Sequence, residues 1–219
     1  MRKGYGWILE TLKEYHGSTM LGDFGNDDPW QTLIATILSA RSRDETTEVV
    51  ARNLFLKYPD CPSLASAPVR MIEKLVKKTG FYKTKARRII HVSQLLMEKY
   101  GGKVPEDFDS LIALPGVGRK TAACVMVYAF GKAAIPVDTH VHRISNRLGW
   151  VSTRTPEQTE MALKAFIAEK DWIAINDLLV WHGKKVCKPI RPLCSICTIE
   201  SRCKKVIVKK INHASREDR

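Results

Sequence analysis

Long apolar runs are missing from this 219-residue chain. No stretch of 18 uncharged apolar residues exists, so no membrane-spanning helix is expected. The N-terminus is basic, but Glu10 interrupts it before a secretory core builds up, and no signal peptide is expected. Acids are scarce too: 23 Asp+Glu face 36 Lys+Arg, a formal charge of +13. That excess points to a polyanionic partner, nucleic acid first, with plain solubility charge as the alternative. Alternating strand patterns are few. The best, residues 134–137 and 206–208, are short, and Pro136 weakens the first. Low-complexity tracts and fixed-period repeats are absent. What remains is a chain with 44% apolar residues, enough for a core, and a length that suits one large domain or two small ones.

The periodicity is helical. Trp30, Leu33, Ile34, Ile37 and Leu38 form one apolar face, and Asp28-Pro29 is an N-cap followed by proline at the first helical position. Met71, Ile72, Leu75 and Val76 make a second stripe, and Ile89, Val92, Leu95 and Leu96 a third. Thr155-Pro156-Glu157-Gln158 predicts a capping box opening a helix through Leu163, Phe166 and Ile167. The fold class is all-α, and the tail after Ile211 is expected to fray.

Six cysteines in a chain with no export signal point to thiols or metal ligands. Cys61 and Cys124 stand alone. Cys187, Cys194, Cys197 and Cys203 crowd into one short segment with the spacing Cys-x6-Cys-x2-Cys-x5-Cys. Four thiolates so close imply a metal, and the spacing leaves zinc and an iron–sulfur cluster both open.

The second signal is Leu114-Pro115-Gly116-Val117-Gly118-Arg119-Lys120. Pro115 and Gly116 stop a short apolar helix, and Gly118 is expected to provide the sharp turn into a helix running through Val125, Met126 and Phe130. Bare N–H groups at that helix start form an anion site suited to a phosphate; an ordinary corner needing small residues is the alternative. Lys120 falls in the first turn, where the helix dipole is expected to lower its pKa and free the amine as a nucleophile. A simple charge contact to phosphate is the competing role. Asp138 precedes a helix running to Leu148, where it reads as an N-cap whose second oxygen can serve chemistry.

These residues resemble the helix–hairpin–helix DNA glycosylase superfamily, and within it most closely the endonuclease III family. The hairpin, the Val137-Asp138-Thr139-His140 segment and the cysteine spacing occur in the family's order and cover roughly residues 29–203. The resemblance implies two helical lobes: a six-helix barrel over 22–132 containing the hairpin, and an iron–sulfur domain of 1–21 plus 133–211, with 212–219 a basic tail. It implies a [4Fe-4S] cluster on Cys187, Cys194, Cys197 and Cys203. It also implies a monomer located in the cytoplasm, at the nucleoid in a prokaryote, with double-stranded DNA carrying a damaged base or abasic site in the cleft. The implied activity is base excision repair by a bifunctional glycosylase and abasic-site lyase acting on oxidised pyrimidines. Lys120 attacks the sugar and Asp138 assists, the two facing each other across the cleft mouth.

The resemblance further assigns Gly116, Val117 and Gly118 to DNA binding, and gives Arg41 and Phe81 the filling of the gap left by a flipped base. Here the sequence departs from the best-known bacterial pattern, with Arg41 where glutamine is usual and Phe81 where leucine is usual. Phe81 can still stack between bases. Arg41 brings a donor fork to the orphaned base, or else a phosphate contact. The lesion range therefore includes a G·T or G·U mismatch glycosylase as an alternative, with a non-catalytic DNA-structure-binding protein as another. Basic residues gather in two runs expected to track phosphates. Lys184, Lys185, Lys188, Arg191, Arg202, Lys204 and Lys205 surround the single acid Glu200, and Lys77, Lys78, Lys83, Lys85, Arg87 and Arg88 have no acid among them.

Overall fold

A computed structural model describes residues 4–15 and 28–206. Among these the regular structure is helical, without strands. Helix α1 is Gly4–Tyr15, α2 Pro29–Ser39, α3 Asp44–Lys57, α4 Cys61–Ala65, α5 Val69–Val76 and α6 Tyr82–Tyr100. After these come α7 Phe108–Ile112, α8 Arg119–Phe130, α9 Thr139–Leu148, α10 Pro156–Phe166 and α11 Trp172–Lys185. Short 3-10 turns at Cys194–Ile196 and Glu200–Arg202 lie in the cysteine segment. Residues 134–137 form no strand, and residues 207–219, including the expected tail, lie outside the described residues.

The expected start signals act as read. Asp28 caps α2 through the Trp30 N–H at 2.8 Å, and Thr155 caps α10 through Gln158 N–H. The capping box is displaced by one residue: Gln158 Oε1 accepts from Arg154 N–H, not from the N-cap's own N–H.

Apolar side chains form two cores. One gathers α2 to α8, from Trp30 through Val125 to Ala134. The other joins Ile8, Leu9 and Leu12 of α1 to residues from Ile135 through α9, α10 and α11 to Ile199. The chain passes from one core to the other between Ala134 and Ile135. The seam is polar. Arg119 makes a bidentate pair with Glu160 at 3.0 and 3.1 Å, and Lys164 joins the same carboxylate at 2.8 Å. Burial works to raise Glu160, but these cations hold it below the usual glutamate range. Asn176 Nδ2 donates to Pro136 O at 2.8 Å, and Tyr128 Oη lies 2.8 Å from Asn176 Oδ1, tying α8 to α11. Lys184 pairs with Asp44, so this cation of the basic run around Glu200 bridges the two halves of the molecule.

Candidate active site

The hairpin joins α7 to α8. The residue that turns it is Gly116, at φ +79°, whereas Gly118 is extended and serves as the N-cap of α8. The sequence expectation put the sharp turn at Gly118. The correction follows from the left-handed backbone, which a side chain at position 116 would strain. The Arg88 side chain lies across Gly116, where an added Cβ would meet its Cδ at 2.7 Å. No side chain caps α8, and Gly116 and Gly118 are exposed. Val117 is buried in the first core and its N–H donates to Leu114 O at 3.1 Å, so it braces the hairpin and does not join the surface expected of it. Beside the hairpin, Thr84, Arg87, Arg88, His91 and Pro115 line an open depression of about 260 Å3.

Lys120 stands in the first turn of α8, partly exposed, with its ammonium head packed among protein atoms. Burial pulls its pKa down. The Cys124 sulfur, one turn along and hydrogen-bonded to it, and the Asp138 carboxylate pull it up, and the balance lies above the ordinary lysine value. The lowered pKa expected from the helix dipole is therefore overturned by specific partners. Burial pushes the Cys124 thiol up, against the downward pull of the Lys120 ammonium beside it. The ammonium is thus the resting form.

Asp138 is the N-cap of α9. Its Oδ1 accepts from His140 N–H and Val141 N–H, both at 2.8 Å, which leaves Oδ2 without a hydrogen bond among the described residues. The cap fixes the carboxylate within electrostatic range of Lys120, with no direct ion pair between them. His140 follows at once. Burial holds its pKa down, and its Nδ1 sits 3.1 Å from Arg143 Nη2, so the neutral ring accepts.

Arg41 and Phe81 come together. Both have left-handed backbones, φ 55° and 57°, which cost non-glycine residues about 1–3 kcal/mol each. The Arg41 guanidinium lies over the Phe81 ring at 5.4 Å, and Phe81 is 64% exposed, not a core residue. Lys85 does not join the surface run expected of it: it is 4% exposed. The signal was present, since Lys85 falls on the stripe of α6 that also buries Ala86, Ile89 and Val92.

The cysteine segment folds back on α9 and α11. Cys187, Cys194, Cys197 and Cys203 line one cavity with Arg147, His182 and Leu193. Arg147 reaches Cys187 Sγ at 3.3 Å, Lys188 O at 2.7 Å and Pro189 O at 2.6 Å, and Arg143 donates to Cys187 O at 3.0 Å. Burial raises the Cys197 and Cys203 thiols. No three His, Cys, Asp or Glu side chains among the described residues converge tightly enough for a single metal ion. Lys188 and Arg191 are exposed at the outer edge of this segment, while Lys205 is paired with Glu200 at 2.6 Å.

Cys124, His140 and Glu160 were given no role from the sequence. Cys124 carried a readable signal in its i+4 spacing from Lys120. Glu160 carried none, because its partner Arg119 is 41 residues away.

Residues 34–169 match the family of HhH-GPD superfamily base excision DNA repair proteins. The chain is 51% identical to Endonuclease III of Thermotoga maritima over 80% of this chain and 83% of that protein. It is 40% identical to Endonuclease III of Synechocystis over 90% of both. Its fold superposes on a trapped endonuclease III–DNA covalent intermediate with TM-score 0.84 at 32% identity, covering 94% of this chain and 96% of that one. It also superposes on a thermostable thymine-DNA glycosylase with TM-score 0.81 at 26% identity, covering 93% and 95%. By identity sustained over most of its length and by fold, the chain belongs to the endonuclease III family, the DNA glycosylases with abasic-site lyase activity of the HhH-GPD base excision repair superfamily.

Proposed function

We propose that this chain removes oxidised pyrimidines from duplex DNA through Lys120 and then nicks the strand. The observation that carries the reading is a lysine at the start of α8, directly behind an uncapped hairpin, with the capped Asp138 carboxylate acting on it through space. The base is flipped out, because its sugar carbon is unreachable in the stack. Lys120 gives up a proton, which the free Oδ2 of Asp138 can receive, and its Nζ attacks C1′. The C1′–N bond breaks, and the departing base takes the electron pair and a proton. Ring opening leaves an iminium between Nζ and C1′. Loss of a C2′ proton then expels the 3′ phosphate, and water releases the sugar from Lys120. The proton taken by the departing base comes from Asp138, which restores the carboxylate to face the positive charge left on the iminium.

DNA lies between two domains, 22–132 on one side and 1–21 with 133–211 on the other. Gly116 and Gly118 offer backbone N–H groups to one phosphate, while the Val117 N–H, donated to Leu114 O at 3.1 Å, braces the turn between them; Arg87, Arg88 and His91 extend that contact beside the hairpin. Arg41 and Phe81 fill the vacated place in the stack. Lys188 and Arg191 meet phosphates on the other domain. The chain acts as a monomer in the cytoplasm, at the nucleoid in a prokaryote.

Four thiols of one short segment lining one cavity fit the [4Fe-4S] cluster that the family resemblance implies. When bound, the cluster supplies the cross-link that pins the segment bearing Lys188 and Arg191. Protein purified without oxygen is expected to be brown with about four irons per chain. A colourless protein holding stoichiometric zinc contradicts the assignment.

Borohydride trapping tests the reaction. The chain should form a covalent adduct with a thymine-glycol duplex, and Lys120→Ala should lose it by at least about 10³-fold. An adduct that survives in Lys120→Ala refutes the mechanism. A second reading, G·T or G·U mismatch excision, is supported by the fold shared with the thymine-DNA glycosylase and by Arg41 at the loop facing the orphaned base. The same trapping with G·T and G·U duplexes separates the two, since only the preferred lesion gives the faster adduct.

A further inference from the structure

Lys85 is a buried ammonium with no carboxylate partner among the described residues. Its Nζ donates to Leu38 O in the last turn of α2 at 2.7 Å and to Ser42 Oγ at 2.8 Å. Ser42 Oγ in turn accepts the Gly80 N–H at 3.1 Å. These bonds form one path from the end of α2, through Lys85 and Ser42, to the residue before Phe81. The backbones also meet: a Cβ on Gly80 would lie 2.8 Å from Arg41 O. On either side of the path stand Arg41 and Phe81, both left-handed and stacked on each other. Such conformations persist only where the surroundings over-determine them. Nothing in the economy of folding calls for a lysine here. A buried charge without an opposite charge is destabilising next to an apolar side chain of similar length, although the carbonyl end of α2 offsets part of that cost.

We propose that Lys85 is a positioning residue that locks the Arg41 loop and the Phe81 loop into one two-pronged wedge, so that both enter the DNA stack together. The proposal rests on the reading of Arg41 and Phe81 as the residues that fill the vacated site. Lys85 touches neither base nor sugar. It acts through Ser42 and Leu38 by holding two strained turns at a fixed separation, and without it each prong is free to relax toward ordinary backbone angles.

The test compares Lys85→Met, Lys85→Arg, Ser42→Ala and Phe81→Ala on the full chain. One substrate is a duplex with 2-aminopurine opposite the lesion, whose fluorescence rises when the stack opens. The other is a single-stranded abasic oligonucleotide, which needs no wedge. Lys85→Met should stay folded by circular dichroism and keep single-strand lyase activity. It should lose most of the 2-aminopurine rise and about 10- to 100-fold in duplex kcat/KM. Ser42→Ala, which cuts the same path while leaving Lys85 in place, should show the same pattern more weakly, and it decides the matter if Lys85→Met does not fold. Lys85→Arg, which keeps the charge, should recover part of the duplex activity. Duplex activity and fluorescence at wild-type level in Lys85→Met or Ser42→Ala, with Phe81→Ala impaired, overturn the latch and spare the wedge. A Phe81→Ala protein with wild-type fluorescence overturns the wedge reading itself. Equal losses on single-stranded and duplex substrates in Lys85→Met overturn the latch in favour of general structural damage.

Discussion

Two lysines of this protein have both been taken out of water, and their chemistry diverges. Lys85 meets only a carbonyl and a hydroxyl, and burial pushes it down to about 8. Lys120 is enclosed too, yet the Cys124 sulfur and the Asp138 carboxylate outweigh burial and hold it above the ordinary lysine value. The company a buried ammonium keeps, more than its depth, decides its proton affinity. The lysine proposed as nucleophile is therefore the one that holds its proton harder. On that proposal its activation comes from Asp138 during the reaction, since no free amine is waiting at rest. The lysine that loses its proton more readily has no reacting group to serve.

Removing the carboxylate should break this contrast most strongly. Asp138→Asn takes away a charge that raises Lys120 and the proposed acceptor for its proton. Single-turnover base removal is expected to fall about 10²- to 10⁴-fold. The pH midpoint for borohydride trapping of a preformed abasic site should move toward acid, because the Lys120 pKa drops. Asparagine is itself a good N-cap, so the melting temperature should stay within a few degrees, separating the chemical role from the capping role. An unchanged pH midpoint would break the electrostatic link between the two residues.

A smaller effect sharpens the other half. The unfolded Lys85 titrates near its ordinary 10.5 and the folded one near 8, so between these values the unfolded chain binds more protons and stability rises with pH. Below about pH 8 both states are charged and the burial cost is fully present; above about 10.5 both are neutral and it is gone. The gain across this window is on the order of 1–3 kcal/mol. Denaturant unfolding at pH 8 and pH 10 should detect it in the wild type, and Lys85→Met should lack it. The same rise in Lys85→Met would assign the effect to another group.

Much of the site was legible because it is local. The hairpin string, Asp138 one residue ahead of its helix and the cysteine spacing each lie within a few turns of chain. The all-α class followed from apolar stripes whose periodicity depends on neighbours three and four residues away. One error was local: either hairpin glycine suits a turn, and the left-handed backbone falls at Gly116. The others came from contacts that cross the fold. Lys85 read as part of a phosphate track because it sits among cations, although its place on the buried stripe of α6 was visible. Lys184, assigned to the same kind of track, spans to Asp44 in the other half of the molecule.

By itself, the sequence determined which residue types stand at which helical positions. From that came the helix class, the lysine at the head of α8, the capping aspartate and the four clustered thiols, since capping, periodicity and ligand spacing are short-range properties of the chain. Only the tertiary structure decided which lysine is raised and which lowered, that Arg41 and Phe81 stack on each other, and that one buried ammonium joins their loops. The partners responsible lie far along the chain, Leu38 being 47 residues from Lys85. Burial and Coulomb attraction act through space, and proximity of that kind is settled by packing.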